Sequence, residues 1–259
     1  MARAIWKGAL VLGKSTLPVQ LFSAVQDQVI HFRLLHEKDR VPVEQRIIRK
    51  TDGKEVPKED RRKAYPLGRD EAVILQPDEL AKLEPESSRE IELCRFVRRG
   101  LLGNQWFDRP YYLAPDKDNG DYFALADAID HAGVVGIARW VMRKKRYLGA
   151  LTSSDGYLIM TALRRAEQVI SVSRIEVPAT RRPDQRELRM AEQLMSSIEG
   201  DFEPQLWKNE YRGRVHELLD AKARGKTLKL VAPKRKPAGG DLADLLQRSL
   251  TGTKERKVA

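Results

Sequence analysis

Up to about residue 175, the sequence consists mainly of short apolar runs separated by turn residues, and this pattern constrains the fold more than any other feature. Pro18–Phe22 alternates with a period of two residues, and Ile30, Phe32 and Leu34 alternate again. Such alternation is typical of β-strands with one buried face. Further strands are expected at Ala4–Trp6, Ala9–Leu12, Ala72–Gln76 (a buried strand), Ile91–Val97, Val134–Met142, Tyr147–Thr152 and Tyr157–Leu163, and one more begins at Pro110. Many short, mostly antiparallel strands with few helices predict a β-barrel or a β-sandwich.

Helical spacing appears in the middle and towards the end of the chain. Pro77 is expected to open a short helix, and residues 121–132 to form a longer helix that Gly133 ends. After Pro183, apolar residues recur at helical spacing in two stretches, and a glycine follows each stretch. The stretches contain Leu188, Ala191, Leu194, Met195 and Ile198, and then Trp207, Tyr211, Val215, Leu218 and Leu219. The apolar faces of these two helices can pack on the barrel or on a second subunit, and packing within the chain is the default expectation.

A long charged segment at residues 36–70 interrupts the apolar pattern. Asp52-Gly53 lies near its middle and is typical of a hairpin turn. Two charged, extended limbs joined at this turn would form a protruding arm that cannot bury a core by itself. Charge alone favours a simple solvated insertion, so both interpretations of the segment stay open.

The net charge of +11 suggests a polyanionic partner, but the charge is unevenly distributed. Residues 221–259 contain eleven basic and three acidic residues, so they carry +8, and residues 1–220 carry only +3. The overall charge therefore does not show that the folded part of the chain binds nucleic acid. An inference of nucleic-acid binding therefore requires a local cluster of basic residues.

From residue 227 the sequence has the composition of a flexible basic tail. Pro233–Pro237 and Gly239-Gly240 resemble a linker, and a short amphipathic segment follows at residues 241–250. One face of that segment carries Leu242, Leu245, Leu246 and Leu250. Such a segment can fold into the groove of a partner protein, or it can be a frayed end without a function.

The sequence contains no recognisable motif for catalysis, for a metal ion or for a cofactor. His31, His36, His131 and His216 are scattered, and none has metal-ligand spacing with another histidine or with the single cysteine. Cys94 lies in a strand pattern and is expected to be a small buried apolar residue. No apolar run approaches the length of a membrane span, and the start of the chain does not resemble a secretory signal. We therefore expect a binding protein of the reducing cytoplasm, with no enzymatic activity.

The best candidate for anion binding is the cluster at Arg46–Lys63, called the basic cluster here. It carries a net charge of +4 from Arg46, Arg49, Lys50, Lys54, Lys58, Arg61, Arg62 and Lys63 against four acidic residues. No aromatic residue interleaves with these cations, and no recognition helix or zinc finger appears in the sequence, so contact with the phosphate backbone fits best. Contacts elsewhere on the chain are candidates too, at Arg3, Lys7, Arg139 and Arg143.

Several ordered sequence blocks resemble one family, the bacterial Ku proteins. The first is Arg3–Gly8 together with Pro18-Val19. The later blocks are Thr51–Pro57, Phe107–Pro115, Ile137–Val141 and Gly200–Pro204. The resemblance runs from about Ala2 to Lys226, and a tail block is similar more weakly. Blocks in the same order along the chain are more specific than any single one.

The resemblance implies a mixed β+α fold with three parts. Residues 1–183 would form a Ku-type β-barrel core with a long inserted bridging arm at about residues 36–70. Residues 184–226 would form a C-terminal helical dimerisation arm. Residues 227–259 would form the flexible basic tail, with a ligase-docking segment at 241–250.

The resemblance also implies the function. The chain would form a homodimeric ring that threads onto double-stranded DNA ends without sequence specificity in non-homologous end joining. It would recruit and stimulate the ATP-dependent DNA ligase D, bind no cofactor, and associate with the bacterial nucleoid. The main alternative is a general basic, chromatin-type DNA-binding protein without end preference, and a nuclease is a distant third.

Overall fold

The computed structural model describes residues 3–69, 71–116, 120–176 and 183–225. These residues divide into two compact units, with the division between Ile175 and Glu176. The strands are β1 (Trp6–Leu12), β2 (Ser15–Ser23), β3 (Lys63–Pro66), β4 (Ala72–Leu75), β5 (Glu90–Arg98), β6 (Phe107–Pro115), β7 (Val134–Met142), β8 (Lys145–Ser154) and β9 (Tyr157–Leu163). The helices are α1 (Pro77–Lys82), α2 (Gly120–His131), α3 (Gln185–Ser197) and α4 (Glu210–Ala223).

Seven of the strands close into a barrel in the order β1-β2-β6-β9-β8-β7-β5. All neighbouring pairs are antiparallel except β1 and β5, whose parallel pairing closes the barrel. The sequence predicted a barrel or a sandwich, and the structure is a barrel. Closure removes the free strand edges that an open sheet would present to other chains.

The core fills the inside of this barrel because inward and outward residues alternate along each strand. Leu10, Val19, Leu21 and Ile91 are fully buried, and they come from β1, β2 and β5. Helix α2 packs against β7, β8 and β9 and contributes buried residues to the same core. These are Tyr122, Ala126 and Ile129, and Gly133 with φ +62° follows the end of the helix. The helix predicted at residues 121–132 is therefore confirmed.

Two tight turns join β7, β8 and β9. Asp155 and Gly156 have φ values of +53° and +76°, so the hairpin predicted from Asp-Gly is present. Arg143 and Lys144 also lie in the left-handed region, with φ values of +49° and +61°. Non-glycine residues seldom adopt this conformation, and the sequence therefore gave no turn signal at this position.

The insertion between β2 and β5 spans residues 24–89 and begins earlier than the predicted arm. Between Leu21 and Ile91, the described residues include no buried side chain. The strand predicted around Ile30, Phe32 and Leu34 is wrong, because β2 ends at Ser23 and Phe32 and Leu34 are exposed. Strands β1 and β6 already pair with the two edges of β2, so the residues that follow β2 have no free edge of that strand to pair with.

The insertion contains its own small elements. Strands β3 and β4 form a two-stranded antiparallel sheet, and helix α1 follows β4 with Pro77 at its start, as predicted. The prediction of a buried strand at Ala72–Gln76 is wrong in its burial, since Val73 and Ile74 are 45% and 60% exposed. In the described part of the chain no second layer covers this two-stranded sheet, so the apolar side chains stay at the surface.

The second unit contains the two predicted late helices. The carboxylate of Asp184 accepts hydrogen bonds from the backbone N–H groups of Arg186 and Glu187, both at 2.8 Å, and so caps α3. The Asn209 side chain caps α4 in the same way, and Gly225 with φ +70° follows its end. Neither helix has a buried residue among the described ones, and Leu188 and Met195 are exposed.

Candidate nucleic-acid interface

The basic cluster at Arg46–Lys63 is built on a hairpin within the insertion. Ile48 and Glu55 form an antiparallel bridge. On either side of that bridge, the N–H of Arg49 donates to the Lys54 carbonyl at 2.8 Å and the N–H of Val56 donates to the Ile47 carbonyl at 2.9 Å. Gly53 supplies the positive φ of +68° in the connecting turn, as its Asp-Gly sequence predicted. The structure therefore joins two extended limbs at the expected turn.

Two arginines of the hairpin are already paired with carboxylates. The guanidinium of Arg46 lies 3.0 Å from a Glu55 carboxylate oxygen and 3.4 Å from one of Glu44. These charges raise the pKa of Arg46 above its ordinary value, first through the attraction of Glu55 and then through the hydrogen bond to Glu44. Arg49 pairs with Asp52 at 2.6 Å. The positive charge of the cluster is therefore partly neutralised at these two positions.

The other basic residues of the cluster have no carboxylate partner among the described residues. Arg61 donates two hydrogen bonds to the Val56 carbonyl, at 2.9 and 2.8 Å, and Arg62 donates to the carbonyls of Glu59 and Arg61. The four lysines form no ion pair within the described part of the chain and are exposed: Lys50, Lys54, Lys58 and Lys63. The hairpin and the residues after it therefore present uncompensated positive charge to solvent.

The remaining predicted contacts lie outside the hairpin, on or next to the barrel strands. Arg3 precedes β1 and is exposed, and Lys7 on β1 pairs with Asp116 at 3.3 Å. Arg139 on β7 donates to both carboxylate oxygens of Glu92 on β5, at 2.9 and 3.0 Å, and the Glu92 hydrogen bond raises the pKa of this guanidinium above its ordinary value. Arg143 lies in the turn between β7 and β8. Two of these four cations are thus paired with acids.

A cleft of about 630 Å³ on the barrel brings Arg139 together with two arginines that sequence reasoning did not select. They are Arg146 on β8 and Arg165 just after β9, and Arg165 donates to the Arg146 carbonyl at 2.9 Å. Glu90 and Glu92 line the same cleft, so its charge is mixed. The run Arg143–Arg146 is basic throughout and is the sequence signal that could have found Arg146.

Cys94 is exposed, which contradicts the prediction that it is buried. The register of β5 against β7 shifts between Leu93 and Arg95, so Cys94 is the extra residue of a β-bulge. The prediction rested on residue type, but Leu93 before it is buried, so alternation along β5 turns the Cys94 side chain outward. Its thiol lies beside Arg139 and Glu92 at the surface.

The described residues contain no group of three or more histidine, cysteine, aspartate or glutamate side chains that could hold a metal ion. In the same residues, no helix combines the length and the apolar character needed to cross a membrane. The described residues do bring together an exposed set of cations on a hairpin that is inserted between two strands of a closed barrel. That arrangement suits electrostatic contact with a polyanion.

Comparison with known proteins decides the family. A model of the Ku70/Ku80 β-barrel domain matches residues 11–190. The chain belongs to the Ku family. It is 36% identical to the non-homologous end joining protein Ku of Anaeromyxobacter sp. (strain K), over 99% of this chain and 88% of the relative. Ku family membership confirms the resemblance inferred from the sequence blocks.

Two further Ku relatives cover almost the whole chain. The non-homologous end joining protein Ku 2 of Geotalea uraniireducens (strain Rf4) is 36% identical over 95% of this chain and 96% of its own length. The protein Ku of Pseudomonas aeruginosa is 33% identical over 96% of this chain and 88% of its own length. The seven-stranded barrel with additional helices confirms the mixed β+α Ku fold. The prediction of a non-enzymatic protein agrees with membership of this family.

Proposed function

We propose that this Ku family protein binds the ends of double-stranded DNA in non-homologous end joining. The observation that carries the proposal is the exposed basic cluster on the hairpin of an insertion into a Ku barrel. The curated relatives are named as non-homologous end joining proteins, which supports the same process for this chain. We expect it to act in the bacterial cytoplasm, on the nucleoid.

Phosphate contact explains how such a surface binds DNA without reading its sequence. Lysine and arginine side chains that neutralise phosphates release counterions, and this contribution does not depend on base identity. The basic cluster carries no aromatic residue for stacking on unpaired bases, so double-stranded DNA is the better ligand. The twelve candidate contacts are Arg3, Lys7, Arg46, Arg49, Lys50, Lys54, Lys58, Arg61, Arg62, Lys63, Arg139 and Arg143.

Selectivity for DNA ends requires a closed path around the duplex, and two copies of the chain can supply it. We propose that residues 1–183 form the DNA-binding core and that residues 184–226 form the dimerisation arm. Helices α3 and α4 carry exposed apolar residues, including Leu188, Met195 and Tyr211, which a second copy would cover. A ring of this kind admits a linear duplex through its end and excludes a closed circle.

The proposed second partner is the ATP-dependent DNA ligase D. Its docking site would be the segment at residues 241–250, with Leu242, Leu245, Leu246 and Leu250 on one face. This segment belongs to the basic tail at residues 227–259, which lies outside the described residues. Apolar residues at helical spacing on a charged tail suit the groove of a partner protein.

The proposal is tested by comparing linear DNA with the same DNA closed into a relaxed circle. At equal salt, we expect strong binding to the linear form and at most weak binding to the circle in a gel-shift assay. A general chromatin-type protein would bind both forms equally, so equal affinity contradicts end binding. Metal-dependent cleavage of either substrate would instead reveal a nuclease.

A further inference from the structure

The eight cations of the basic cluster differ in their local charge. A phosphate that approaches Arg46 also approaches the carboxylates of Glu44 and Glu55, so the net charge at that position is negative. A phosphate that approaches Arg49 meets Asp52, which lies 2.6 Å from the guanidinium. Exchanging either carboxylate for a phosphate would leave an unpaired acid beside the DNA backbone. Arg46 and Arg49 are therefore poor candidates for phosphate contact.

Strand pairing places Lys54 on the opposite face of the hairpin from Glu55. Cross-strand partners lie on the same face, and successive residues of a strand alternate between faces. Ile48 faces Glu55, so Glu55 and Arg46 share one face, and Lys54 lies on the other opposite Arg49. Lys50 lies in the turn and, like Lys54, forms no ion pair among the described residues.

The hydrogen bonds of the two paired arginines give them a structural role in the hairpin. Arg46 connects the two limbs by its bond to Glu55, and Arg49 is bound to Asp52 within the turn. The Asp52 carboxylate also accepts a hydrogen bond from the Lys54 N–H at 3.3 Å. The ion pairs thus fix the turn that carries both lysines.

We infer that Lys50 and Lys54 contact DNA phosphates, whereas Arg46 and Arg49 are positioning residues that hold the shape of the hairpin. This inference rests on the proposed function, because it names the contacts within the same DNA-binding surface. In the sequence these four residues have the same charge, so charge alone does not distinguish the two pairs. The division follows from which cations already have a carboxylate partner.

Two double variants of equal charge test this division in the full-length protein. Lys50→Gln with Lys54→Gln and Arg46→Gln with Arg49→Gln each remove two positive charges, so any general effect of net charge is the same. The readout is the affinity for a linear duplex across a series of salt concentrations. Each lost phosphate contact lowers the steepness of log K against log salt by about 0.9.

For the lysine pair we expect about a tenfold or greater loss of affinity near 0.15 M salt and a slope that falls by up to about 1.8. For the arginine pair we expect an unchanged slope, together with faster hydrogen exchange of the backbone amides at position 49 and at Val56, which hold the two limbs together. Lys50→Arg with Lys54→Arg should restore both affinity and slope, since arginine keeps the charge.

A slope that falls as much for the arginine pair as for the lysine pair would overturn the division. So would an unchanged slope for the lysine pair, which would place the phosphate contacts elsewhere on the protein. In both cases the unaltered protein still binds linear DNA, and the proposed function stands. If the unaltered protein does not bind linear DNA, the proposed function fails and the division fails with it.

Discussion

Tyr122 shows how one side chain joins the helix α2 to the barrel. Its hydroxyl donates to the Leu113 carbonyl and accepts from the Leu158 N–H at 2.8 Å, and these two residues are partners in the β6–β9 ladder. The ring is fully buried, and this burial raises the pKa of its hydroxyl above the ordinary value. The hydroxyl therefore satisfies two backbone groups that water cannot reach.

Replacing Tyr122 with phenylalanine should destabilise the protein by about 1–3 kcal/mol, because both buried backbone groups lose their partner. Denaturant unfolding measured by circular dichroism reports this change. Tyr157→Phe is the matched control, since Tyr157 is 52% exposed, and it should cost less than about 0.5 kcal/mol. Equal stability of the two variants would show that the Tyr122 hydroxyl contributes little.

At the same scale, the sequence identified the cations of the candidate site but not their partners. Charge and the Asp52-Gly53 turn were sufficient to select the basic cluster. The pairing of Arg46 with Glu55 depends on the register of the hairpin, which brings together residues nine positions apart. Residue type alone contains no such information, so the division between paired and unpaired cations required the structure.

Individual elements were predicted best where the signal is local. The hairpin at Asp155-Gly156 and the helices α2 and α3 follow from turn chemistry, spacing and caps within a few residues. Long-range pairing was not predictable in this way. The parallel pairing that closes the barrel joins β1 to β5, which the insertion separates in the sequence. The exposure of β4 arises because no second layer covers it in the described residues.

The exposed cysteine of β5 gives a prediction for this element. Because the Cys94 side chain is exposed, its thiol should react with a thiol reagent such as DTNB in the native protein. The chain has a single cysteine, so the absorbance change reports this position alone. One equivalent should react before any denaturant is added. Reaction only after unfolding would place Cys94 in the core and contradict the outward orientation of its side chain.

On the scale of the whole molecule, the positive charge is divided between residues 1–220 and the residues that follow them. Residues 221–259, which include the tail, carry +8 of the net charge of +11, yet the basic cluster lies on the insertion into the barrel. We interpret the cluster as part of the DNA-binding surface and the tail as a tether for a partner. DNA binding and partner tethering are therefore assigned to different parts of the chain, and the total charge alone does not distinguish them.

Truncation after Lys226 should abolish stimulation of ligase D and leave dimerisation and the preference for DNA ends intact. Loss of the tail charge should also lower DNA affinity, so binding and ligation need separate assays. A variant with Leu242, Leu245, Leu246 and Leu250 changed to serine keeps the charge, and it should lose stimulation at unaltered affinity. Full stimulation by the truncated protein would refute the docking role of the tail.

Entry through a DNA end is the central claim, and blocked ends test it most directly. A linear duplex with a streptavidin-bound biotin at each end offers the same phosphates as the open duplex. We predict that the protein binds the blocked duplex weakly and that restriction cleavage inside it, which creates open ends, restores strong binding. Equally strong binding before and after cleavage would contradict threading and favour a DNA-binding protein without end preference.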